Sequence, residues 1–272
     1  MKKTFLTLVL ALSLTGMLKA QTNIQEMYDF NRKQMTTTLE MFKADNWGST
    51  FFFVDIYHPE VSFPTDFYTE ISRSLNFWQN TKMKDFSLHA EWNGGCGTNV
   101  TSFSYGVNNA WLFGAEYLLH TADYQNTLTL QVLYKNIRGG QSEVPMQFTA
   151  VWGCKDIFGL KGLNFSGFAD FWWETCSWAN PEFAPYADMT EAQLTIAQYA
   201  LQLLGQTLPP ETISTTRVFI TEPQLWYNVG QHFGCDNLNI GGEVEISNNF
   251  TGNGTGKTGW VVNPAVGVKW VF

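Results

Sequence analysis

After residue 20 the chain has no apolar run close to the roughly 18 residues that mark a membrane-spanning helix. Helical insertion is therefore excluded. A membrane barrel is not, because its lipid face takes only every second residue. Charge is also scarce: Asp, Glu, Lys and Arg make up 15% of the chain, with 16 basic against 24 acidic residues and a formal net charge of −8. So few cations exclude a nucleic-acid binder, which needs Lys and Arg against phosphate. No G-x-S-x-G, H-E-x-x-H or P-loop sequence is present, and no cysteine pair has C-x₂₋₄-C spacing. Neither an enzyme, a metal site nor a cofactor is expected. No Pro/Gly/Ser linker divides the chain, so one large domain is expected.

Aromatic residues are abundant, at 16%. The first twenty residues read as a signal peptide. Lys2 and Lys3 precede the apolar run from Phe5 to Leu14, and Leu18-Lys19-Ala20 forms a loose cleavage site before Gln21. Removing residues 1–20 takes three lysines (Lys2, Lys3, Lys19) and no acid, moving the formal charge from −8 to −11.

Beyond that point, residues alternate with period two. Met35, Thr37, Leu39 and Met41 oppose Thr36, Thr38 and Glu40. Phe86, Leu88, Ala90 and Trp92 oppose Ser87, His89, Glu91 and Asn93. Leu238, Ile240, Val244 and Ile246 oppose Asn239, Glu243, Glu245 and Ser247. This is strand periodicity. Segments near 22–31, 33–43, 48–58, 65–78, 84–95, 102–119, 126–139, 144–156, 163–176, 216–231, 238–250 and 261–272 each suit a tilted membrane strand. The expected fold is an all-β, antiparallel, twelve-stranded transmembrane barrel over 21–272, in the outer membrane of a bacterium. An even strand count puts both ends on the periplasmic side. The short connectors at Asn46-Trp47, Asn80–Lys84 and Phe158–Gly162 then become periplasmic, while 177–215 and the Gly-rich 251–259 become external. Trp47, Trp78, Trp152, Trp260 and Trp270 lie near segment ends, as interfacial aromatics do. Phe272 ends the last strand, facing outward. Arg73 falls on the lipid face and is expected to snorkel or to sit beside a bulge. Asn109 and Asn248 pose the same problem.

Connector 177–215 is too long for a plain loop. Thr190-Glu191-Ala192-Gln193 has capping-box spacing, and Leu194, Ala197, Leu201 and Leu204 follow at helical intervals before Gly205. A helix over about 190–204 is expected at the external mouth, as a lumen lid, a membrane-surface arm or a rim element. Among the four cysteines, topology permits Cys96–Cys176 and Cys154–Cys235, the second favoured, and free thiols are the alternative.

The inward faces carry Glu40, Asp55, Glu70, Glu91, Glu116, Asp170, Glu174, Glu222, Glu243 and Glu245. Phe51, Phe53, Tyr57, Tyr68, Trp172 and Trp226 share those faces, with His89, Lys135 and Lys269. Acids accept hydrogen bonds from hydroxyls, and aromatic faces stack on bases. Such a lumen favours neutral or cationic polar solutes, and a charge network that merely fills the barrel is the alternative. A surface-interaction role for 177–215 is a second functional reading, and lipid chemistry at His89 a third.

The runs Phe51–Tyr57 (FFFVDIY), Phe67–Phe77 (FYTEISRSLNF), Phe86–Asn93 (FSLHAEWN) and Asn108–Tyr117 (NNAWLFGAEY) resemble the Tsx-type nucleoside-specific channel family, and more closely a related group of bacterial outer-membrane proteins. The ending Asn263–Phe272 (NPAVGVKWVF) fits as well. The likeness spans 33–176 and 216–272 and rests on short blocks, and connector 177–215 departs from it. It implies a monomeric twelve-stranded barrel passing nucleosides or similar small polar solutes, bathed in outer-membrane lipid and lipopolysaccharide. By position it also implies that Asp55, Glu70 and Asn108 face the lumen.

Overall fold

A computed structural model of the chain describes residues 21–58, 66–98, 104–250 and 259–272. Residues 1–20, where a signal peptide is expected, and most of connector 251–259 lie outside the described residues.

Nine strands run up and down in sequence: β1 (Gln21–Asp29), β2 (Gln34–Asp45), β3 (Gly48–His58), β4 (Asp66–Leu75), β5 (Phe86–Thr98), β6 (Ser104–His120), β7 (Asn126–Ile137), β8 (Met146–Cys154) and β9 (Leu163–Trp172). Each pairs antiparallel with the next. The chain then leaves the sheet through β10 (Cys176–Ala179) and β11 (Thr212–Thr215), which pair only with each other. It returns through β12 (Val218–Thr221), β13 (Gln224–Tyr227), β14 (Leu238–Asn248) and β15 (Trp260–Val271). β15 pairs with both β14 and β1, so the sheet closes.

The main sheet has 13 hydrogen-bonded segments, but β12 and β13 are two halves of one strand. Both pair with β9 on one side and β14 on the other, in one unbroken register. Only Glu222-Pro223 separates them. Proline lacks the N–H that a ladder needs. The carbonyl of Pro223 still accepts from Val244 N at 3.1 Å, and Glu222 N donates to Phe168 O at 3.1 Å. Gly167 faces this point with φ +151, and a Cβ there would sit 2.4 Å from Glu222 O. The barrel is therefore twelve-stranded, with both ends on the side of the short turns, as the alternation predicts.

The faces separate by chemistry. Ile24, Leu39, Ile71, Leu88, Phe113, Leu130, Val132, Phe148, Ile240, Val266 and Val268 point outward and are exposed. Inward neighbours such as Asn23, Gln25, Ser74, His89, Gln131, Gln147 and Glu245 are buried. A closed sheet satisfies its own backbone and shows lipid mainly apolar side chains, which is the barrel solution to crossing a bilayer. Trp47, Trp260 and Trp270 are exposed at strand ends. Phe272 is 70% exposed, and its N–H donates to Thr22 O at 2.9 Å beside the start of β1. These are the architecture and outer face of a bacterial outer-membrane barrel.

The awkward outward residues are resolved in different ways. Arg73 has no bulge beside it. Instead its guanidinium grips Asp45 at 2.7 and 2.8 Å and Thr50 at 3.0 Å, close to the periplasmic ends of β2 and β4. Asn109 does lie at a bulge. The β5–β6 register shifts between Asn93 and Gly95, so Asn108-Asn109 oppose the single residue Gly94. Asn248 is at the external end of β14, hydrogen-bonded to Asn249.

The predicted Cys154–Cys235 disulfide is absent, and both residues are free. β9 lies between β8, which ends at Cys154, and β13, which leads into the turn holding Cys235. Two strand spacings are about 9.5 Å, beyond the ~7 Å between Cα atoms that a disulfide can span. The side chain of Cys176 lies outside the described ones.

Connector 177–215 contains a helix α1 (Glu191–Leu203) with the expected cap: Thr190 accepts from Gln193 N, and Gln193 reaches back to the Thr190 backbone. None of its residues is buried, and Ile196, Tyr199, Leu203 and Leu204 are exposed. The helix is therefore not packed as a lid inside the lumen. The hairpin β10–β11 brackets it in the chain and a 3-10 turn (Pro181–Tyr186) precedes it, neither of which the sequence pattern announces.

Candidate functional site: the barrel lumen

Every second residue of each barrel strand projects into one shared interior, where polar side chains bond mainly to one another. On β2 and β3, Glu40 accepts from Asn23 at 2.8 Å and Asp55 accepts from Thr38 at 2.5 Å. The Tyr68 hydroxyl donates to Glu70 at 2.6 Å, and the Tyr68 ring lies 5.9 Å from Phe53, which also meets Phe51. Tyr57 stands near the external end of β3, opposite Thr36.

His89 is the best-connected group. Its Nδ1 is 2.9 Å from Glu116 and its Nε2 is 3.1 Å from Glu91, while Gln131 donates to Glu116 at 3.0 Å. The nearest hydroxyl, Ser74, is 3.5 Å away. With both ring nitrogens held by carboxylates, neither is available to activate a nucleophile. The ring also faces the lumen, not lipid.

Further round the same wall, on β7 to β9, Lys135 Nζ donates to Gln147 at 2.7 Å and lies 3.7 Å from the centroid of the Trp172 ring. Gln147 continues to Thr149, and Thr149 to Asp170 at 2.5 Å. The indole of Trp172 donates to Glu174. Lys269 lies 4.1 Å from the Trp226 ring, whose indole bonds Gln224, and Gln224 in turn bonds Glu243 at 2.9 Å. Glu222 occupies the break between β12 and β13. Thus, among the described residues, the interior holds two cation–π contacts within a predominantly acidic lining. The predicted residues do not converge on one pocket. They ring the lumen at different heights. Asn108 belongs to the bulge, and its side chain lies outside the described ones.

Two kinds of lumen residue escape a search for polar faces. Leu112 and Leu133 are 0% exposed and pack with Ala110, while Val218 and Ile220 pack with the expected Trp172 in a second apolar cluster. Leu112 shares parity with Glu116, so alternation assigns it inward, but its apolar side chain hides it among lipid-facing residues. Arg32 is the other case. From the turn after β1 it enters the lumen mouth, donating to Asp29 at 2.9 Å and to Glu245. Desolvation opposes its charge, but Glu245 and Asp29 outweigh that and hold its pKa above the usual arginine value.

The chain resembles several solved barrels in outline. It covers 89% of itself and 60% of OprB from Pseudomonas putida at 9% identity, with a TM-score of 0.38. Against OccK2 (OpdF) from Pseudomonas aeruginosa the values are 91%, 61%, 13% and 0.37. Against the outer-membrane channel DcaP of Acinetobacter baumannii they are 88%, 63%, 10% and 0.35. The chain thus spans less than two thirds of the length of these proteins, and none of these likenesses carries a function across. No curated protein matches it. The family model described as "Domain of unknown function (DUF5020)" matches residues 21–272, and the chain belongs to that family.

Proposed function

We propose that the barrel is a passive outer-membrane channel for small polar solutes that are neutral or cationic, nucleosides among them. The observation that carries this reading is the interior lining: carboxylates on nine of the twelve strands with aromatic rings between them. A barrel that needed only to be filled would do so more stably with apolar side chains, since buried charges cost several kcal/mol each unless well paired. The nucleoside class rests on the resemblance to Tsx-type channels and on acids able to accept from ribose hydroxyls. The barrel works as a monomer, with outer-membrane lipid and lipopolysaccharide around it. In planar bilayers the purified protein should give discrete conductance that adenosine or uridine partly blocks. A folded barrel with no conductance and no solute flux would refute the channel.

A second reading is favoured by one observation, the exposed apolar residues Ile196, Tyr199 and Leu203 on α1 and Leu204 at its C-terminal cap. In that reading the barrel anchors connector 177–215 as a surface-interaction element. Deleting 177–215 separates the two. A channel keeps its conductance, altered in size, whereas an anchor loses its only activity while the barrel still folds.

A further inference from the structure

At the external end of the lumen, Asp29 closes β1, Glu245 lies on β14, and Asn263 lies opposite Glu245 on β15. The side chains of Asp29 and Glu245 are only 5% and 8% exposed. Two nearby carboxylates without a cation would repel each other and pay full desolvation. They are not without one. Arg32 reaches in from the β1–β2 turn and bonds both, while its backbone N–H donates to Asp29 Oδ1 at 2.8 Å. Its own side chain is 42% exposed, entering from the turn while its carboxylates are buried.

Asn263 gives a second, independent sign. Its Nδ2 donates to Asp29 Oδ2 at 2.7 Å, which fixes the orientation of the amide. Its Oδ1 then lies within the same group, buried and without a hydrogen-bond partner among the described residues. Asn263 is 3% exposed. Buried acceptors are nearly always satisfied, because an unmade hydrogen bond costs on the order of 1–3 kcal/mol. An orphan acceptor beside two carboxylates calls for one more N–H donor than Arg32 supplies. Ser247, completely buried, steadies Glu245 through a 3.0 Å hydrogen bond and leaves its other oxygen to the cation.

We propose that Asp29, Glu245 and Asn263 form a binding site for small guanidinium solutes at the external mouth, and that Arg32 is its tethered occupant, displaced when such a solute enters. A guanidinium is planar and has N–H donors spread around its rim. It can therefore engage both carboxylates and the orphan oxygen together. The inference deepens the channel reading by naming a class of solute and a residue that competes with it.

The test is equilibrium binding, which needs no current. Isothermal titration of the detergent-folded barrel with methylguanidinium should show at least tenfold tighter binding to R32A than to the native protein. Adding E245Q to R32A should weaken it at least tenfold again. Equal affinity in all three, or no binding by R32A, overturns the proposal. Should R32A not fold, the native protein decides: saturating methylguanidinium should shift the Arg32 side-chain N–H resonance, and an unmoved resonance overturns it. Loss of conductance in the native barrel would refute the channel alone, whereas conductance without binding would refute this site alone.

Discussion

Arg73 shows how one residue can be tolerated on the wrong face. An unpaired Arg on the lipid side costs about 2–4 kcal/mol at mid-depth but ~1 kcal/mol or less near an interface. Asp45 meets Arg73 where β2 and β4 end, at the periplasmic rim. D45N should therefore leave the stability of the barrel nearly unchanged, because a solvent-exposed ion pair contributes little, read from urea unfolding in lipid. A loss of several kcal/mol would place Arg73 deep in the bilayer instead. Leu112 poses the opposite case, an apolar side chain facing the lumen. L112A should cost about 2–5 kcal/mol and also enlarge single-channel conductance. An unchanged conductance would put Leu112 outside the solute path. Sequence reading catches the first residue because a charge interrupts an apolar stripe. It misses the second because leucine looks the same whichever way it faces.

The strands themselves were legible as elements because period two leaves few alternatives. Lipid requires one apolar face, the lumen tolerates a polar one, and a slip of one residue exchanges them. The cap of α1 was legible for a similar reason, since Thr190 and Gln193 satisfy each other within one turn. What escaped were features set by partners remote in sequence. The bulge at Asn108-Asn109 exists only in relation to Gly94. The spacing that forbids a Cys154–Cys235 bond comes from β9 lying between. The strand formed by β12 and β13 depends on Gly167, which leaves room for the chain at Glu222-Pro223. G167A should destabilise the barrel by roughly 2–3 kcal/mol, as a residue forced into a disfavoured conformation against a neighbouring backbone. Unfolding measured beside G139A checks this, because Gly139 also has a positive φ of +78 but a Cβ there would meet nothing within 4 Å, so the difference isolates the clash with the neighbouring backbone. Equal effects at the two positions would count against it.

At the scale of the whole molecule, closure and lining were predictable, but the degree of filling was not. Alternation assigns acids to the interior. It does not say that Lys135 and Lys269 lie across Trp172 and Trp226, or that Arg32 folds back into the mouth. Each of these contacts joins side chains from different elements, and together they turn an open acidic tube into a crowded one. The lumen nevertheless keeps an excess of carboxylates over cations, and that excess should govern what crosses. Ions passing between walls of one charge sign are sorted by that sign. The most direct test is the reversal potential of the native barrel in a planar bilayer under a tenfold KCl gradient. The acid-lined channel predicts discrete openings with a reversal potential displaced toward that of K⁺. Openings displaced toward Cl⁻, or a folded barrel that never opens, would contradict it.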